Sequence, residues 1–139
     1  AGIDASNIPG NAMVALLPVD SDASARRIRQ SIRERLNVDV AVIISDTFGR
    51  PWRSGATDVA IGVAGINPML SYVGQEDSHG NLMYTTVICV ADELTATAEL
   101  VTGKVLGVPV ALIKGYPYIP MEDASHWALV RDPEKDFFR

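Results

Sequence analysis

The sequence predicts an α/β (α+β) domain: a mixed β-sheet with flanking helices. Three observations carry this reading. With 139 residues, 47% of them hydrophobic, the chain is long enough for one real core. Short runs rich in β-branched residues alternate with two stretches that keep helical spacing. The apolar run at 40–44 ends abruptly in Ser45, Asp46 and Thr47, which places polar chemistry at the rim of a sheet.

In chain order, residues 13–19 read as a strand stopped by Pro18 and Asp20. Ser21 and Asp22 are candidate caps for a helix from 23 to about 36. Ala25, Ile28, Ile32 and Leu36 form its expected inward face, and Arg26, Arg27, Arg29, Arg33 and Arg35 its solvated face. Asn37 ends that helix, and residues 40–45 read as a strand buried on both faces. A short strand is expected at 59–63, with Gly62 and Gly65 beside it, and one helical turn at 67–73 after Pro68. Residues 75–81 are a polar turn and 82–90 a strand. A helix from 91 to about 102 places Leu94, Ala98 and Val101 inward and ends at Gly103. Residues 108–113 read as a further buried strand, before a tail rich in Pro and aromatics.

Composition narrows the function. Seventeen acids against twelve bases, a net charge of −5, argue against a nucleic-acid partner, which needs a basic field. No apolar run is long enough to span a bilayer, so no membrane partner is expected. The single cysteine, Cys89, excludes an internal disulfide and lies in an apolar run, as a buried reduced thiol would. The opening residues lack signal-peptide character, and the expected location is the cytoplasm. The chain starts Ala-Gly-Ile-Asp without Met, as a processed product, a trimmed chain or a piece of a longer enzyme would.

The segment from 45 to 55 concentrates the chemistry. Asp46 offers oxygen to a hard cation. Arg50 and Arg53 offer forks for phosphate or carboxylate, and Gly49 and Gly55 permit close backbone approach. The bland reading is a surface loop with an aspartate cap and solvated arginines. Asp4, Ser6 and Asn7 read alone as a turn cluster, although a carboxylate at Asp4 brought near Asp46 would complete an oxygen site for magnesium or manganese. Asp92 and Glu93 suit a helix N-terminus without further function. His79 and His126 lack metal-ligand spacing and read as surface residues. Trp52 and Trp127 suit packing or ring stacking. Gly103-Lys-Val-Leu-Gly107 is glycine-spaced but is no Walker A loop, since it follows a helix instead of opening one.

Four segments together resemble a known family: Ala-Gly-Ile-Asp-Ala-Ser-Asn at 1–7, Ser-Asp-Thr-Phe-Gly-Arg-Pro-Trp-Arg-Ser-Gly at 45–55, Val-Ala-Ile-Gly-Val-Ala-Gly at 59–65, and Val-Ala-Asp-Glu-Leu at 90–94. Their order and spacing resemble the coenzyme F420-0:γ-glutamyl ligases, over residues 1 to about 115. The resemblance implies a GTP-dependent ligase that joins L-glutamate to coenzyme F420-0 through an acyl phosphate. It implies magnesium or manganese as divalent metal, potassium as a further candidate cation, and a homodimer. Carried over by position, Asp4 and Asp46 resemble ligands of one metal and Thr47 a ligand of a second. Asp46, Arg50 and Arg53 are the expected catalytic residues. Asn7, Gly103, Lys104 and Gly107 are the expected nucleotide contacts, the last three in a loop running along the nucleotide. Archaeal members of the family carry an acid at the position of Lys104; a protonated amine cannot ligate metal but can meet phosphate directly. The 139 residues resemble the C-terminal portion of the ligase, without the N-terminal region that supplies further GTP contacts. The rival reading is a non-catalytic domain of the same fold that binds a phosphorylated ligand or a partner subunit.

Overall fold

The computed structural model describes residues 3–4, 8 and 13–137; Ser6, Asn7 and the side chain of Asp4, singled out in the sequence, lie outside the described residues. Helices and strands combine as expected. Among the described residues the strands form three antiparallel pairs: β1 (Ile3–Asp4) with β2 (Ala15–Leu16), β3 (Val42–Gly49) with β4 (Ala56–Ala64), and β5 (Leu70–Ser71) with β6 (Val87–Ile88).

The β3–β4 hairpin is the frame. Its eight paired positions run from Val42 opposite Ala64 to Gly49 opposite Ala56. The register shifts between Ile44 and Ser45, which pair with Gly62 and Ala60, so Ile61 is the extra residue of a β-bulge. Two helices, α1 (Ser21–Leu36) and α2 (Val90–Thr102), both pack against β4. The core lies between them: Ala60, Val63, Ile66, Val90, Ala91 and Ala124, surrounded by partly buried side chains that include Ile43, Leu94 and Leu129.

Asp20, rather than Ser21 or Asp22, caps α1: its carboxylate accepts the Ala23 N–H at 2.7 Å. Asn37 closes the helix in the left-handed region at φ 53°. The inward face differs from the expected one. Ser21, Asp22 and Ala25 are buried, whereas Ile28 and Leu36 are exposed. The cause is close approach. A Cβ at Gly62 would stand 2.5 Å from the backbone oxygen of Ser21, so β4 meets α1 backbone to backbone and leaves no room there for a large side chain. Arg29, expected in solvent, is the continuation of that face. Its guanidinium forks onto Asp39 and onto Glu122 and donates to the Val40 carbonyl, clamping the chain on both sides of the hairpin to α1.

Other elements also differ from the expected ones. The turn expected at 67–73 contains β5, after an Asn67 side chain that accepts the Met69 N–H. The strand expected at 82–90 is reduced to β6, and that at 13–19 to β2. Residues 40–44 are half-buried and Ser45 is exposed, and β3 continues through the polar residues to Gly49. Residues 108–113 form no strand, and Val110 and Leu112 are 76% and 70% exposed. In α2, Val90, Ala91 and Thr95 are buried and Val101 is exposed. An apolar run forms a strand only where another edge takes its hydrogen bonds.

Candidate functional site

Two carboxylates at helix starts reach β4 from outside the hairpin. Asp22 of α1 accepts the Val63 N–H at 2.8 Å, and Asp92 of α2 accepts the Ala60 N–H at 2.9 Å. They satisfy edge donors that flank the bulge, and an uncovered edge is a liability. Asp22 also takes the Ser125 hydroxyl at 2.7 Å, the His126 backbone N–H and the His126 ring Nδ1 at 3.0 Å. Its side chain is 7% exposed. Burial pushes its pKa upward, but the bonds from Ser125, Val63 and His126 together outweigh burial and hold it below the ordinary carboxylate value. His126 is therefore a packed residue tying the tail to α1, where the sequence suggested a surface one. Cys89 sits just before α2; burial and the neighbouring Asp92 carboxylate push its thiol up to about 12, which keeps it protonated and inert at neutral pH.

The other end of the hairpin has a different character. Side chains alternate along β3, so Ser45 and Thr47 share one face and Asp46 takes the other. Asp58 lies directly opposite Thr47. Its carboxylate takes the Thr47 hydroxyl at 2.5 Å through one oxygen and the Ser45 hydroxyl at 3.0 Å through the other. Lys104 arrives from the turn after α2: its ammonium donates to the Thr47 hydroxyl and lies 3.7 Å from Asp58. The Asp58 side chain is only 13% exposed. Gly103 at φ 56° and Gly107 at φ 66° bracket the Lys104 turn, a backbone course L side chains resist.

On the opposite face, one Asp46 oxygen accepts the Thr47 backbone N–H at 2.8 Å, and the second has no hydrogen-bond partner among the described residues. A half-buried carboxylate with an unengaged oxygen suits a hard cation. Asp4 is held in β1 against Ala15. Among the described residues no three His, Cys, Asp or Glu side chains gather into a metal cluster. Residues 50–55 form the loop between β3 and β4, with Arg50 and Arg53 both exposed. Trp52 stands there at φ 56°, a left-handed conformation that costs a bulky residue about 1 kcal/mol, and its ring is exposed. No atom approaches within 4 Å of a Cβ built at Gly49 or Gly55, so both leave open space beside the loop.

The structure thus joins Thr47 and Lys104, sets Asp46 back to back with them, and leaves Arg50 and Arg53 at the loop. Asp58 was not singled out in the sequence. A hairpin closing over 50–55 places residue 58 opposite residue 47, and that register is the signal that finds it.

The profile of the F420-0:Gamma-glutamyl ligase family matches residues 1–115, which include the whole hairpin, α2 and the Lys104 turn. The chain belongs to this family. It is 45% identical over 141 residues to the coenzyme F420:L-glutamate ligase of Methanothermobacter thermautotrophicus and 44% identical over 140 residues to that of Haloarcula marismortui. The relative of the same name from Methanopyrus kandleri is 39% identical over 143 residues. Each alignment covers all of this chain and 56%, 53% and 56% of the respective relative, so this ligase-family chain spans about half the length of the curated relatives it matches. No described helix is long and apolar enough to cross a membrane.

Proposed function

We propose that this F420 ligase-family chain carries the reaction end of a GTP-dependent ligase that adds L-glutamate to coenzyme F420-0. The observation that carries the reading is the polar end of the hairpin, where Asp46, Thr47, Asp58 and Lys104 stand beside the Arg50–Arg53 loop within a sequence that matches the ligase family.

In this reading the precursor carboxylate oxygen attacks the γ-phosphorus of GTP. The bond from that phosphorus to the bridging oxygen breaks, GDP leaves, and an acyl phosphate forms. The glutamate nitrogen then attacks the acyl carbon, phosphate leaves with the C–O bond, and the amine gives up a proton as the amide forms. Phosphoryl transfer asks the protein mainly for position and charge. Arg50 and Arg53 hold anionic groups of the substrates through their forks. Lys104 meets phosphate oxygen, and Gly103 and Gly107 let its turn follow the nucleotide. Asn7 is a further nucleotide contact. Magnesium or manganese, held by Asp46 with Asp4, spreads the charge of the transferring group when bound. Thr47 is the expected ligand of a second metal, and the Lys104 ammonium on its hydroxyl offers positive charge at the same place. Potassium is a further candidate cation for the same anionic ligands.

Incubation with F420-0, L-glutamate, GTP and manganese, followed by mass spectrometry, tests the reading. Glutamylated product with equal GDP and phosphate supports it. Ligand binding without turnover favours a non-catalytic domain of the same fold. We also propose a homodimer. Val105, Val110 and Leu112 stand exposed in one segment, an apolar surface of the kind that marks an interface. Sedimentation at micromolar concentration is expected to show self-association; a stable monomer contradicts it.

A further inference from the structure

We infer that Asp58 is the positioning carboxylate of this site, holding the Lys104 ammonium on the Thr47 hydroxyl in readiness for a phosphate oxygen. The inference deepens the ligase reading and rests on it for the ligand, while the geometry stands by itself.

Asp58 receives three groups at once. The Ser45 and Thr47 hydroxyls take one oxygen each, and Lys104 approaches the oxygen that Thr47 uses. Because the Thr47 hydrogen is committed to Asp58, the lone pairs of its oxygen face the ammonium. One carboxylate therefore fixes both the direction of a hydroxyl and the place of a charge. Its backbone is held in turn: the Thr95 hydroxyl of α2 donates to the Asp58 carbonyl at 3.3 Å. Support of this kind, in which a carboxylate orients the groups that touch a ligand, is the usual means of holding a charged site in geometry.

A cross-strand tie would explain the hydroxyls but not the lysine. Lys104 lies 57 residues from Thr47 in sequence, in a turn outside the hairpin, and its side chain is more than half exposed. Asp58 is largely covered. A covered anion beneath a half-exposed cation places that cation where a second anion can approach it. Phosphate oxygens accept charge-assisted hydrogen bonds from an ammonium. The ligand class is a polyphosphate chain, in a nucleotide or alone.

Reductive methylation of the 139-residue chain, read at Lys104 by peptide mass spectrometry, tests this. The reagent must reach the amine, and a side chain held on Thr47 and Asp58 presents it less readily than a released one. Asp58→Asn keeps shape and removes charge. Methylation at Lys104 is expected to rise about two- to fivefold, as for a partly exposed ion pair, with Lys114 and Lys135 unchanged. Asp58→Glu is expected to return the rate toward wild type. Inorganic tripolyphosphate is expected to protect Lys104 in the wild type and to protect it less in Asp58→Asn. An unchanged rate in a folded Asp58→Asn overturns the inference. Acceleration without tripolyphosphate protection in the wild type leaves Asp58 as the positioning group and removes the phosphate reading of Lys104. If Asp58→Asn does not fold, Thr47→Val removes the bridging hydroxyl at constant shape. Faster methylation there supports the inference, and an unchanged rate overturns it.

Discussion

The two ends of the β3–β4 hairpin use acids in opposite ways. At the inner end, Asp22 and Asp92 accept backbone N–H groups of Val63 and Ala60, donors that cannot leave. At the outer end, Asp58 is matched by hydroxyls and by an exposed ammonium, and Asp46 keeps one oxygen unengaged among the described residues. An acid anchored on backbone donors holds structure even where, like Asp22, it also takes side chains, whereas one matched only by exchangeable side chains can give its partners to a ligand. Identity as aspartate does not distinguish the two roles; the partner does.

Changes at the inner end should cost stability. Asp22→Asn leaves the donors of Val63, Ser125 and His126 to share an amide in a buried place, and a loss of about 3 kcal/mol is expected in urea unfolding. The same group sets an acid limit. Its folded pKa lies below the unfolded value, so its contribution is complete above the ordinary carboxylate range and is lost as pH falls through the folded pKa. In Asp22→Asn the acid side of the stability profile should flatten. Gly62→Ala places a methyl 2.5 Å from the Ser21 carbonyl and should cost about 1–3 kcal/mol by forcing α1 from β4.

Changes at the outer end should leave stability near wild type and act on ligands. Arg50→Lys and Arg53→Lys retain charge but lose the fork. Each should weaken use of F420-0, L-glutamate or GTP about tenfold in a ligase assay, since a hydrogen bond to a charged group is worth roughly 1.5 kcal/mol. Normal use of all three substrates by both variants would make the loop structural.

Much of this comparison was legible in the chain. The extents of both helices, with their ends at Asn37 and Gly103, follow from the sequence, and the polar end of β3 is visible at Ser45–Thr47 because an apolar run stops there. The faces of the helices were not legible, because the buried contacts use small or polar groups: Ser21 against Gly62, Asp22 and Ala25 in α1, and Thr95 in α2. Spacing of large apolar residues pointed at Ile28 and Leu36 instead, which are exposed. Residues 108–113 read as a buried strand because hydrophobicity reports a preference for cover and cannot say whether a neighbouring edge exists. In the site, Asp46, Thr47 and Lys104 stood out by residue type. Asp58 did not, since its meaning comes from the register that sets it across from Thr47. Asp22 and His126 read as a cap and a surface residue, and the bond between them closes over 104 positions of chain, a distance no local pattern spans.

Asp46 is where the account is most exposed, because the outer end is a reaction centre only if its unengaged oxygen takes a cation. Calorimetric titration of manganese into the wild type and Asp46→Asn, with urea unfolding of both, measures this directly. An unchanged unfolding midpoint and a loss of manganese affinity of about 10- to 100-fold are expected in the variant. Equal manganese affinity in the two proteins would contradict it.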